Sequence, residues 1–103
     1  MEKVFSGGFL GNQTYNFTDG KKISDQNLVY IRAGLQDFDL YTDWTSFPAA
    51  AGLDTDVSLS YYVNDGAYYS MKVSVSENTV TVKDISKGGN WQSVQMYLEI
   101  YKL

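Results

Sequence analysis

Two residue types are missing altogether: the 103 residues include no cysteine and no histidine. Without cysteine there is neither a disulfide framework nor a thiolate metal site, and the redox compartment leaves no mark on the sequence. Without histidine, the usual zinc ligands, the Ser-His-Asp and Cys-His nucleophile pairs and the commonest general base near neutral pH are all excluded. Proline occurs once, and eight Lys and Arg stand against twelve Asp and Glu, a net charge of −4 with no basic run longer than Lys21-Lys22. Such a chain has no clustered cationic face to neutralise phosphates, so nucleic acid is not an expected partner. No apolar run reaches the roughly 18 residues of a membrane-spanning helix, and the opening residues Met1 to Ser6 lack a signal-peptide apolar region. Synthesis and folding in a cytoplasm, without membrane insertion, are therefore expected.

What is present points to strands. Nine glycines, nine tyrosines and abundant Val, Thr and Ser favour an all-β domain punctuated by turns, and no segment sustains a 3.6-residue apolar period. The length suits one domain, 1–103, with a radius of gyration of about 13 Å. The clearest hairpin is Val57 to Val63 followed by Ala67 to Ser76, joined by Asn64-Asp65-Gly66, residue types that accept positive φ in a tight turn. Alternation predicts Val57, Leu59, Tyr61 and Val63 on one face, and Tyr69, Met71, Val73 and Val75 as their inward partners. Glu77-Asn78 then separates this strand from Thr79 to Lys83, which completes a three-strand meander. After a glycine loop over Ser86 to Asn90, a closing strand is predicted from Trp91. Its inward positions are Val94, Met96, Leu98 and Ile100, and its opposite face carries Gln95, Tyr97, Glu99 and Tyr101.

Leu28 to Ala33 is apolar on both faces, as expected of a central strand covered by a second sheet. Val4-Phe5 and Thr14 to Phe17 read as short strands, with Gly7-Gly8 and Gly11-Asn12 as turns. Asp37 to Leu53 is the least regular segment. Asp37 to Tyr41 is a candidate strand, and Trp44, Phe47, Pro48 and Ala49 to Gly52 read as a long loop with a helical turn. Seven or eight short strands of this kind predict an antiparallel β-sandwich, jelly-roll-like, with a C-terminal core strand.

Chemistry-bearing residues are sparse. Asp37, Asp39 and Asp43, with Asp54 and Asp56, form the only set able to supply oxygen ligands to calcium or an acid-base pair. The spacing matches no calcium loop, so solvated turn carboxylates are the favoured reading. Gly7-Gly8 and Gly88-Gly89 do not sit between a strand and a helix as phosphate loops do. No cofactor, metal or catalytic residue is expected. The stronger signal is aromatic: rings make up 16% of the chain. Tyr41, Trp44 and Phe47 lie in the irregular segment, Tyr62 and Tyr68 flank the hairpin turn, and Tyr97 and Tyr101 occupy the outer side of the last strand. Exposed rings offer flat apolar surface to a sugar or a protein.

Two stretches carry a resemblance. Val4-Phe-Ser-Gly-Gly8, then Thr14-Tyr-Asn-Phe17 and Ile23-Ser-Asp-Gln-Asn-Leu-Val-Tyr-Ile31, resemble the opening of small β-sandwich proteins and terminal domains from tail fibres, baseplates and receptor-binding proteins of tailed phages. Val73 to Lys83, Ser86-Lys-Gly-Gly89 and Leu98-Glu-Ile-Tyr-Lys102 resemble the ending of the same group, whose closing strand runs on through a Gly-Tyr pair where this chain has Leu103. The resemblance covers about half of the chain. It marks strands and turns, so no site residue carries over. It implies a sandwich fold and a virion tail or adsorption-apparatus protein from a siphophage of Gram-positive bacteria, made in the host cytoplasm. The partners it implies are other tail proteins or bacterial cell-wall polysaccharide, with the chain as a homo-oligomer. The expected contact surface is Tyr41, Trp44 and Phe47, with Asp37, Asp39 and Asp43 as acceptors for sugar hydroxyls. The alternative is a small phage inhibitor that blocks a host intracellular protein.

Overall fold

The computed structural model describes residues 1–103, leaving out the side chains of Gln36 and Ala51. The chain is an all-β sandwich of two antiparallel sheets. Its nine strands are β1 (Glu2–Phe9), β2 (Gln13–Asn16), β3 (Leu28–Leu35), β4 (Leu40–Tyr41), β5 (Thr45–Pro48), β6 (Asp56–Asn64), β7 (Ala67–Val75), β8 (Thr79–Lys87) and β9 (Met96–Lys102). The five-stranded sheet has the order β1-β9-β3-β4, with β5 also paired to β3, and the four-stranded sheet runs β2-β8-β7-β6. The jelly-roll-like feature lies in the outer pairs. Strand β1 runs along β9 in one sheet while β2 runs along β8 in the other, so the first and last strand pairs cross both sheets together. Between them the chain makes local connections, β3 to β5 and then the meander β6-β7-β8. The radius of gyration is 13.2 Å, as the length predicts.

The core follows strand alternation. Val29, Ile31, Ala33 and Leu35 of β3, Met96, Leu98 and Ile100 of β9, Tyr69, Val73 and Val75 of β7, and Val80 and Val82 of β8 are all fully buried. Each such aliphatic side chain removed from water contributes about 1.5–3 kcal/mol. The closing strand is held on both sides, by β1 and by β3, which is why its inward residues reach the centre of the core.

Several local expectations are corrected. Gly7 and Gly8 lie inside β1, opposite Leu98 and Tyr97, and do not form a turn. A Cβ on Gly7 would sit 3.1 Å from the Phe5 ring, and one on Gly8 would strike the Gln95 side chain. The tighter of the two contacts is with the flexible end of Gln95, and the Phe5 ring would have to give by only a few tenths of an ångström. Val63 does not share the inward face. The ladder shifts between Tyr62 and Asn64, and this bulge leaves Val63 55% exposed. Asp37 to Leu53 is more regular than a loop: a 3-10 turn at Gln36–Phe38 precedes β4, and Thr45–Pro48 pairs with β3 before a single helical turn at Ala49–Gly52. Strand β8 runs on to Lys87. The closing strand starts later than expected, at Met96, because Gly89–Trp91 forms a 3-10 turn in which the Trp91 N–H donates to the Gly88 carbonyl. The Trp91 ring thereby drops into the end of the sandwich, 8% exposed, against Tyr61 and Tyr69. No helix among the described residues is long and apolar enough to cross a membrane.

Candidate functional site

Outside the core, the most organised chemistry lies on the outer face of the five-stranded sheet. With Ile31 and Ala33 inward, Arg32 points outward, and the antiparallel register sets it opposite Glu99. The Arg32 Nε donates to Glu99 Oε2 at 2.8 Å. The guanidinium also lies over two rings, 4.2 Å from the centre of Tyr41 and 4.6 Å from that of Trp44. Such contacts suit the planar guanidinium, each contributing about 0.5–2 kcal/mol depending on solvent access. Trp44 in turn meets Tyr101 edge to face, centroids 5.5 Å apart at 76°, and Lys3 stands 5.8 Å from the Tyr101 ring.

Two local devices hold the rings in place. Thr42, buried between Tyr41 and Asp43, accepts a hydrogen bond from the Ala33 N–H at its Oγ1, 3.1 Å, while its own N–H donates to the Ala33 carbonyl at 2.8 Å. This two-way clamp fixes the segment that carries Tyr41 on one side and Trp44 on the other. Gly34 is the second device. Its missing side chain leaves room for the Tyr41 ring to lie against the backbone, where a Cβ would collide with that ring and sit 2.6 Å from the Leu40 carbonyl oxygen.

Trp44 remains 44% exposed. It is therefore an indole held by a cation over its ring and by a T-shaped contact with Tyr101, yet still accessible to solvent. The arrangement can stack a planar or ring-shaped ligand, and the guanidinium nitrogens that do not contact Glu99 can donate hydrogen bonds beside it. Among the described residues no three acidic side chains gather where they would hold a metal.

Of the sequence-predicted residues, the fold brings Tyr41 and Trp44 together around Arg32. Phe47 goes elsewhere: it pairs with inward Val29, packs on the core and lies against Gly52. Asp37, Asp39 and Asp43 are exposed, and none makes an ion pair or side-chain hydrogen bond among the described residues. Asp39 has φ of 52° and Asp54 of 63°, the left-handed conformation in which aspartate commonly serves turns. Asp37 borders a small cleft of about 100 Å³ with Gly8, Gln95 and Tyr97. Sequence reasoning missed Arg32, Gly34, Thr42 and Glu99. Alternation in β3 and β9 does place Arg32 and Glu99 on the outward side, but only the strand pairing makes them neighbours.

A second aromatic patch lies on the other sheet. Tyr62 and Tyr68 pair across β6 and β7, ring centres 6.1 Å apart, beside a cleft of about 440 Å³ with Ser60 and Ser70. The Tyr62 hydroxyl donates to Asp65 Oδ1 at 2.6 Å, and that bond to a carboxylate raises the Tyr62 pKa above its ordinary value. No protein-family model, no curated protein and no solved structure matches the chain.

Proposed function

We propose that the chain is a non-enzymatic binding domain whose outer five-stranded face contacts a surface polysaccharide. Its setting, drawn from the resemblance of its opening and closing segments, is the tail or adsorption apparatus of a phage of Gram-positive bacteria. The observation that carries the contact reading is Trp44, half exposed yet fixed between Arg32 and Tyr101. A rigid ring that loses little freedom on binding makes a good anchor. Sugars suit this surface because their apolar faces stack on rings while their hydroxyls accept from Arg32 and donate to carboxylates such as Glu99 and Asp43. A wholly apolar partner would leave Asp43 and the guanidinium nitrogens not bonded to Glu99 without partners.

The test is a tryptophan-fluorescence titration with cell-wall polysaccharides from a panel of Gram-positive strains. Trp91 is buried, so a ligand-induced change reports chiefly on Trp44. Saturable binding by one strain's polysaccharide is expected, weakened by about 1–3 kcal/mol in Trp44→Ala. Binding that survives this substitution unchanged would sink the assignment of the site, and binding to a purified tail protein in place of any glycan would turn the same surface into an assembly contact.

A further inference from the structure

The two sheets have four boundaries, and three are blunted in the ways that prevent edge-to-edge association. Strand β1 carries Glu2 and Lys3 and a register shift next to them. Strand β2 is four residues long, and β4 and β5 are two and four, the latter ending at Pro48. Short strands, bulges, charges and proline are the usual protections of an open edge. Strand β6 has a bulge only at its far end, at Val63, and none of these protections from Val57 to Tyr62. It spans nine residues, pairs on one side only, and from Val57 to Asn64 carries neither charge nor proline. Outside its ladder with β7, no backbone bond of Val57 to Val63 is formed among the described residues. A row of free N–H and C=O groups faces solvent.

We propose that this edge pairs with the same edge of a second copy, antiparallel about a two-fold axis at Ser60, so that the two four-stranded sheets become one continuous sheet. The sequence of β6 complements itself in that register. Ser58 meets Tyr62, Leu59 meets Tyr61, and Ser60 meets its own copy. Asp56, the strand's single acid, lies outside this regular stretch, toward the bulged end of the partner strand, and is already paired with Lys83 at 2.9 Å. A chain of net charge −4 therefore meets a copy of itself without repulsion along this edge. A two-fold contact of one patch with itself is the commonest form of closed assembly. The backbone supplies the attraction, as in strand addition, and the alternating side chains supply the register. The dimer also carries two Trp44 surfaces, one from each copy, so weak contacts would reinforce each other. The pairing itself does not depend on what Trp44 binds.

Charge placed at the axis tests the proposal. Ser60 is exposed on the outer face, so Ser60→Lys and Ser60→Glu should keep the fold, checked by circular dichroism. Light scattering after size exclusion, over a range of concentrations, should show a dimer for the parent chain. Each variant should dissociate several-fold more readily, because like charges meet directly across the axis, and the effect should shrink as salt is added. An equimolar mixture of the two variants should recover the dimer. A parent chain that is monomeric throughout, variants as dimeric as the parent, or a mixture that stays monomeric would each overturn the pairing. Hydrogen exchange gives a reading that needs no variant: amides of β6 should gain protection as the parent concentration rises, and constant protection would also refute the dimer.

Discussion

The hydroxyl of Tyr69, fully buried in the four-stranded sheet, donates across the sandwich to the carbonyl oxygen of Ala33, 3.2 Å away in the five-stranded sheet. The same carbonyl accepts from the N–H of Thr42. One oxygen thus ties the core to the segment that presents Trp44.

Tyr69→Phe should cost about 1 kcal/mol, read from the urea midpoint at neutral pH, because one acceptor loses a partner while the ring packing survives. Burial first, and then the neighbouring Tyr61 and Tyr41, push the Tyr69 pKa well above its ordinary value of 10.0. The folded state thus holds this proton where the unfolded state releases it. The corresponding stability is fully present below pH 10.0 and falls as pH rises beyond it. The parent chain should lose stability steeply in that alkaline range, and Tyr69→Phe should lose less. Equal slopes for the two would mean that Tyr69 is not the group responsible.

Thr42→Val keeps the shape but removes the oxygen that accepts from the Ala33 N–H. Leaving that buried donor unpaired should cost about 1–3 kcal/mol. Acrylamide should then quench Trp44 more readily than in the parent, because its segment loses one side of the clamp. Unchanged quenching would show that the Trp44–Arg32 contact is sufficient without Thr42.

Arg32→Lys tests the guanidinium against charge alone. A lysine can still pair with Glu99, but it cannot present a plane to both Tyr41 and Trp44, so a loss of about 1 kcal/mol is expected. The near-ultraviolet circular dichroism of the rings should weaken with it. Full retention of both would make the stacking incidental.

Gly34→Ala and Gly11→Ala form a matched pair. The first drives a methyl group into the Tyr41 ring and the Leu40 carbonyl, and should cost about 1–3 kcal/mol as overpacking does. The second meets nothing within 4 Å and should stay within about 0.5 kcal/mol of the parent. Thermal melts of both variants decide the comparison.

Acidification should reveal a smaller effect at the start of β1. Hydrogen bonds from Lys21 and Lys102 hold the Glu2 carboxyl below its ordinary value of 4.5. Stability from this cluster is present above that value and declines as pH falls through the lowered one. Because Glu2 lies at the surface, Glu2→Gln should barely change the melting temperature at neutral pH and should slightly flatten its acid slope.

Period-two alternation was enough to place the strands of the meander, the closing strand and the two-sheet architecture. Alternation over β7 and β9 is a local, period-two property, and it marks which residues must leave water before any partner is known. The same property failed where packing, not alternation, chooses the conformation. Gly7 and Gly8 read as turn residues because glycine is frequent in turns, whereas here they lie within β1, beside Phe5 and Gln95. Trp91 read as the start of a strand, but it sits in a 3-10 turn with its ring packed against Tyr61 and Tyr69. Tyr41 and Trp44 were legible as candidates because they are rings in an irregular acidic segment, a signal that Phe47 shares although it packs against the core. Their partners were not, since Arg32 and Glu99 lie 67 residues apart and meet only when β3 pairs with β9. Such a register is set in three dimensions, by burying both inward faces at once. For the same reason, Phe47 packs half-buried against the core and Trp44 is left at the surface.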